Sequence, residues 1–264
     1  MRVLVVLPTY NESENIEAIL RAVSSNLGED GDVLVVDDGS PDGTALIAER
    51  IAGEIGGIYI LRRPGKEGLG SAYREGFRWG LARSYDAMME MDSDFSHDPT
   101  SIPSILEPIA AGFDLSIGSR YVPGGSNPGW PWYRWAISRG GNMYADFMLG
   151  LGVKDATSGF RAYSTSILGK MDLSKIKAEG YGFQIEMVMT VLNAGGKVTE
   201  VPITFTDRET GTSKMSSKIF VEALFLVAWW SVRKYISRGS GGRQSGRSRQ
   251  RGQRGRRVSA SWPA

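Results

Sequence analysis

Four short apolar runs, the first three rich in β-branched residues, punctuate the first part of the chain. Arg2–Leu7, Val33–Val36, Ile58–Leu61 and Tyr85–Met91 each read as a buried strand. Between them the apolar residues recur at helical spacing. Ile16, Ile19, Leu20, Val23 and Leu27 form one such face, and Leu69, Ala72, Tyr73, Gly76, Phe77 and Gly80 another within Gly68–Arg83. Asn11 and Glu14 stand at capping-box spacing ahead of the first helix. Ser40-Pro41-Asp42-Gly43-Thr44 is turn chemistry opening the second, and Pro99 opens a further helix with Ile102, Ile105, Leu106 and Ile109 inward. Strand alternating with helix predicts an α/β fold, a mostly parallel sheet flanked by helices.

Ligands of such sheets gather beyond the carboxyl ends of the strands. Tyr10 and Glu12, Asp37 and Asp38, Arg63 and Lys66, and Asp92 and Asp94 fall at four successive strand ends. In Met91-Asp92-Ser93-Asp94 the two acids are one residue apart, so extended geometry would turn both the same way. Two such carboxylates repel unless a hard divalent cation, Mg²⁺ or Mn²⁺, or solvent relieves them. Solvated turn acids are the alternative reading. Neither a Gly-x-Gly-x-x-Gly after the first strand nor a Walker sequence occurs, which disfavours dinucleotide and P-loop chemistry. Cysteine is absent, removing thiolate nucleophiles and Cys-type zinc sites, and the single histidine, His97, sits at a helix start where a structural role is expected.

The later chain is less regular. Asp114–Gly118 reads as a fifth strand leading into Ser119-Arg120-Tyr121, and Trp130-Pro131-Trp132-Tyr133-Arg134-Trp135 is an aromatic run that suits either a core or a binding surface. Ser138–Leu151 and Tyr181–Asn193 read as helices and Lys197–Phe205 as a strand. Ile219–Val232 is apolar and too short to span a bilayer, so it reads as a buried or an interfacial helix. Ten of the 31 Lys/Arg fall in 233–264, which has no acid; the first 232 residues keep 21 basic against 29 acidic residues, a net of −8. The expected division is a folded catalytic domain, 1–236, with halves at about 1–95 and 96–236, and a disordered basic tail, 237–264. Any nucleic-acid binding would belong to that tail alone, not to the acidic folded part.

Val35-Val36-Asp37-Asp38-Gly39-Ser40-Pro41-Asp42-Gly43-Thr44 together with Met91-Asp92-Ser93-Asp94 resembles the inverting GT-A glycosyltransferases of family 2. Leu7-Pro8-Thr9-Tyr10-Asn11-Glu12, Arg63–Gly70, Gly118-Ser119-Arg120-Tyr121 and Asp207–Lys214 are similar to the dolichol-phosphate mannose synthase branch and its actinobacterial polyprenol counterparts. The resemblance covers about residues 1–236. It implies transfer of mannose from GDP-mannose to a polyprenyl phosphate. By position, Pro8, Tyr10, Glu12, Val36 and Asp38 would hold the nucleoside, and Asp92 and Asp94 would bind Mg²⁺ or Mn²⁺, flanked by Met91 and Ser93. Arg208 and Lys214 would close over the donor phosphates, and Arg120, Arg134 and Ser138 would receive the acceptor phosphate. Ser96 stands where some relatives have a Gln metal ligand. The interfacial helix and the basic tail predict peripheral attachment to anionic lipid, expected at the cytoplasmic face of the membrane, with a membrane-anchoring partner protein as a candidate companion. A sugar donor such as UDP-glucose is the competing expectation. A sugar nucleotidyltransferase is a further rival, but it would place a glycine-rich loop where Pro8-Thr9-Tyr10 stands.

Overall fold

The computed structural model describes residues 1–207 and 217–241, with side chains of the last helix described over 221–233. The chain runs β1 (Val3–Thr9), α1 (Ile16–Leu27), β2 (Gly31–Asp37), α2 (Thr44–Ile55), β3 (Ile58–Arg62), α3 (Leu69–Leu81), β4 (Ala87–Glu90) and α4 (Ile102–Ala110). It continues with β5 (Leu115–Ser119), α5 (Trp132–Leu149), β6 (Arg161–Ser164), α6 (Thr165–Lys170), α7 (Gly180–Asn193), β7 (Val198–Pro202) and α8 (Ser217–Gly241). The strands form one seven-stranded sheet in the order β3-β2-β1-β4-β6-β5-β7. β6 runs antiparallel to both neighbours and every other pairing is parallel. The expected α/β architecture is therefore present, with one reversed strand inside it.

Successive strand side chains point to opposite faces, and the buried residues of β1 and β2 divide accordingly. Leu4, Val6, Leu34 and Val36 join Tyr73 and Phe77 of α3 and Phe183 and Val188 of α7 on one side. Val3, Val5, Leu7, Val33 and Val35 join Ile16 and Leu20 of α1 and Ile105 of α4 on the other. Glycines let α3 lie close to the sheet, since a Cβ on Gly76 would stand 2.5 Å from Val6 Cγ1.

Several local expectations change. α1 starts at Ile16 after Asn15, not at Asn11. Asn11 instead takes a left-handed turn with φ 56°, a conformation Asn tolerates better than most residues, and its amide donates to Ser40 Oγ at 3.0 Å. β4 stops at Glu90, so Asp92 and Asp94 lie past the strand rather than along it. α5 starts at Trp132, six residues earlier than the spacing suggests, which puts the aromatic run on its first turn. β7 ends at Pro202, and Phe205 makes only an isolated bridge to His97. Helical backbone in α8 extends across 237–241, into the stretch expected to be disordered; residues 242–264 lie outside the described residues.

Gly76→Val should lower the denaturant midpoint by an amount equivalent to about 1–3 kcal/mol, the usual penalty for overpacking a tight interface. An unchanged midpoint would show that α3 can lift from β1 without loss.

Candidate active site

The end of β4 is shaped by polar bonds rather than by pleating. Met91 is fully buried in the core below. Ser93 Oγ donates to the Pro8 carbonyl at 3.1 Å, pinning the turn to β1. Asp94 Oδ1 accepts from the Ser96 amide at 3.0 Å and from Ser96 Oγ at 2.5 Å, an Asx-type turn, while Phe95 takes φ 58°. Asp92 Oδ1 accepts from Tyr73 OH at 3.3 Å. Strand alternation thus fails to bring the acids together, but the turn does: both line a polar cavity of about 310 Å³ with Arg120, Arg134, Tyr181 and Gln184.

This pair fits a divalent cation of the hard, oxygen-seeking kind. The donors are two carboxylates, and a Cβ on Gly159 would stand 3.8 and 3.9 Å from the Asp92 oxygens, so glycine keeps the space beside them open. No group of three or more His, Cys, Asp or Glu able to hold a metal occurs among the described residues. That is the donor set of a cation completed by water and substrate phosphate, not of a closed structural site. Ser96 Oγ is already committed to Asp94.

Arg120 differs from the expectation of a fork open to phosphate. It follows β5 and is buried, with Nε and Nη2 clamped to Asp155 at 2.8 and 2.7 Å and Nη2 also to Thr157 Oγ1 at 3.0 Å. Burial disfavours both charges, yet mutual attraction and hydrogen bonds prevail, raising the Arg120 pKa and lowering that of Asp155. Nη1 is the nitrogen that Asp155 and Thr157 do not engage. Arg134 is half-exposed on the first turn of α5, donates to Asp207 at 2.7 Å and lies 4.1 Å over the Trp130 ring.

Ser138, one turn further along α5, accepts from Tyr121 OH at 2.7 Å. It lines a second cavity of about 620 Å³ between α5, α7 and α8, walled by Ile137, Tyr144, Ile185, Leu224 and Val227. Trp130, Arg134, Thr157 and Tyr181 border both cavities, so a polar chamber continues into an apolar groove.

The expected nucleoside residues sit on the same strand-end rim but outside these two linings. The Tyr10 ring has Lys66 Nζ 4.7 Å from its centroid, and the Glu12 amide donates to Thr44 Oγ1 at 2.9 Å. Asp38 is paired with buried Arg63, and burial still raises its pKa against that pull. Pro8 and Val36 are ladder partners, and Val36 is fully buried in the core. Val36 and Met91 therefore offer no side-chain surface to a ligand; they support the rim. Arg208 and Lys214 lie outside the described residues. His97 is buried between Phe160 and Phe205, as a structural residue would be.

Sequence reading missed Asp155, Thr157, Tyr181 and Gln184, which the fold brings from distant segments. It also passed over Glu90, although an acid inside an apolar strand calls for partners. Glu90 is fully buried and accepts from Tyr163 OH at 2.9 Å and Gln184 Nε2 at 2.7 Å. Burial pushes its pKa up to about 7 against the opposing pull of Arg161, Gln184 and Tyr163.

Residues 4–171 match the family model described as glycosyl transferase family 2. The chain is 47% identical over 241 residues to the polyprenol monophosphomannose synthase of Mycolicibacterium smegmatis, covering 91% of each chain. It is also 47% identical to the undecaprenyl-phosphate mannosyltransferase of Micrococcus luteus, over 88% of this chain and 95% of that one. Against the dolichol-phosphate mannosyltransferase of Pyrococcus furiosus it is 38% identical, over 85% of this chain and 62% of the other. Among solved structures, glucosyl-3-phosphoglycerate synthase from Mycobacterium tuberculosis in complex with UDP superposes with a TM-score of 0.64 at 20% identity, covering 87% of this chain and 80% of that chain. The same enzyme with Mn²⁺, UDP and its product gives 0.61 at 21% identity, over 89% and 79%. At that identity the likeness establishes the fold, which is the GT-A arrangement expected. With the family model spanning most of the chain and close relatives spanning nearly all of it, the chain belongs to glycosyltransferase family 2.

Proposed function

We propose that the chain transfers mannose from GDP-mannose to a polyprenyl phosphate with inversion at the anomeric carbon. The observation that carries this reading is the continuity of the two cavities through Arg134 and Tyr181. A charged head and an apolar tail need such a site, and a water-soluble acceptor does not. The names of the relatives point to the same acceptor class.

A phosphate monoester has its second pKa near 6, so the acceptor arrives largely ionised at neutral pH. Its oxygen attacks C1 of the sugar as the bond from C1 to the diphosphate breaks, and the electron pair leaves with the nucleoside diphosphate. No proton need be removed. Arg134 and Arg120 Nη1 would hold the acceptor phosphate at the junction, and Ser138 would mark the start of the tail groove. Asp92 and Asp94 would hold Mg²⁺ or Mn²⁺, which supplies charge neutralisation for the departing diphosphate. Tyr10, Glu12 and Asp38 would take the nucleoside further along the rim.

The acceptor also places the protein at a membrane. No helix among the described residues is long and apolar enough to cross one. α5 and α8 nevertheless pack together and expose Trp132, Phe147, Phe225 and Trp229, which are 60–86% accessible. Large exposed apolar side chains on adjoining helices suit interfacial insertion, and the basic tail adds attraction to anionic lipid. We read the chain as a peripheral protein of the cytoplasmic face.

Asp92→Asn and Asp94→Asn should each reduce label transfer from GDP-mannose into the lipid phase by about 10²-fold or more, with chelation doing the same to the unaltered chain. Full metal-dependent transfer by either variant would remove the cation site. Arg134→Ala should raise acceptor KM by roughly tenfold, the scale of one charge-assisted hydrogen bond, at little cost in donor KM; an unchanged acceptor KM would undo the junction assignment. Replacing Phe225 and Trp229 together by Ala should cut co-sedimentation with anionic vesicles severalfold, and binding by the unaltered chain should weaken as salt rises. Equal pelleting of both proteins would exclude insertion through α8.

A further inference from the structure

Gln184 stands apart from every role described above. It is buried, 3% accessible, yet its side chain lines the polar cavity. Its Nε2 donates to Glu90 Oε2 at 2.7 Å, and Glu90 is held in turn by Tyr163 OH at 2.9 Å on its other oxygen. The backbone carbonyl of Gln184 accepts from Arg161 Nη1 at 2.9 Å, so both ends of the residue are anchored. With the amide nitrogen committed to a carboxylate, the orientation of the amide is set and Oε1 is left as an acceptor. Among the described residues Oε1 has no hydrogen-bond partner. Burying a polar atom in that condition is unfavourable, and a ligand able to donate would recover the loss.

The chemistry of the complement follows from the sign of that group. An ionised phosphate has only acceptors to offer and is repelled, whereas a hydroxyl is matched. The amide group lies beside the acids, for a Cβ on Gly159 would stand 3.7 Å from Gln184 Nε2 and 3.8 Å from an Asp92 oxygen. Gln184 and Asp92 therefore border one small space, away from the Tyr10 and Asp38 end of the rim.

We propose that Gln184 is a sugar-positioning residue, its Oε1 accepting a hydrogen bond from one hydroxyl of the donor's sugar beside Asp92. This rests on the reading of the chain as a sugar-nucleotide transferase and names the residue that selects the sugar. Glu90 and Tyr163 act through Gln184, holding the amide in the acceptor orientation.

The test is a binding cycle that does not require turnover. Affinities of GDP, GDP-mannose and its monodeoxy forms are measured by calorimetry in Mg²⁺ for the unaltered chain, Gln184→Met and Gly159→Ala. Gln184→Met should weaken GDP-mannose roughly tenfold, leave GDP within about twofold, and cost nothing further with the one deoxy donor that lacks the partner hydroxyl. Gly159→Ala, whose added methyl enters the same space at ordinary contact distances from both Gln184 and Asp92, should weaken the sugar nucleotide more than it weakens GDP. It provides the measurement if Gln184→Met fails to fold. Equal losses for every deoxy donor overturn the proposal, as does a parallel loss of GDP binding, which would instead make Oε1 a partner of the cation or its water. An unaltered chain that binds GDP-mannose but transfers nothing to polyprenyl phosphate would overturn the transferase reading and leave the cycle to decide Gln184.

Discussion

Arg161 is fully buried on β6, directly opposite Glu90 of β4 in the antiparallel ladder, and its guanidinium donates to the carbonyls of Ser158, Ala156 and Gln184 at 2.6, 2.6 and 2.9 Å. Taking such an ion out of water costs several kcal/mol, so these contacts have to form as a set. They join β6, the 156–158 loop and the first turns of α7, and with Glu90 they fasten that assembly to the centre of the sheet. The reversal of β6 is what makes this useful. An antiparallel strand brings its beginning, not its end, to the rim where β4 finishes, so the loop before β6 faces Asp92. Thr157, Ser158 and Gly159 line the cavity for that reason, and Asp155 lies buried behind them on Arg120.

The first half of the fold was legible because its signals are local. Each strand is a short apolar run, each helix shows its own period, and β1, β2 and β3 pair in sequence order before β4 crosses back to lie beside β1. The second half depends on pairings with no such trace. β6 is Arg-Ala-Tyr-Ser, a four-residue strand that opens on a charge and shows no apolar run. Arg120 was identifiable as a functional arginine, but its partner Asp155 lies 35 residues away in a segment without periodicity. A planar fork suits carboxylate as well as phosphate, and residue type alone does not say which arrives first. The aromatic run before Ser138 was ambiguous for a related reason: Pro131 looks like a break, yet it precedes the first helical residue, a place where proline is tolerated.

Charges at the four strand ends also meet different fates. Arg63 is drawn inside and pairs with Asp38, Glu67 and Glu75, which ties the rim together and withdraws its positive charge from solvent. At the end of β4 the bonds described come instead from the hydroxyls of Tyr73 and Ser96 and from the Ser96 amide. Hydroxyl and amide donors of this kind orient the two carboxylates toward the cavity they line. Two acidic clusters that look alike in sequence thus serve opposite purposes, one closing the sheet edge and one facing the cavity.

The first turns of α5 then convert that polar end into an apolar one along a single helix face. Arg134, Ser138 and Gly141 fall at positions i, i+4 and i+7, and all three line the apolar groove. The order is charge, hydroxyl, then no side chain at all, so polarity falls in one direction along the face. Gly141 leaves width where a chain would have to pass, and Tyr144 closes the same face with its OH on the Leu224 carbonyl of α8 at 3.4 Å. Trp132 and Phe147 project from other positions of this helix into solvent. On the proposed reading one helix guides a phosphate to the cavity on one side and meets a lipid surface on another, which would require α8 to stay packed against it for either task to succeed.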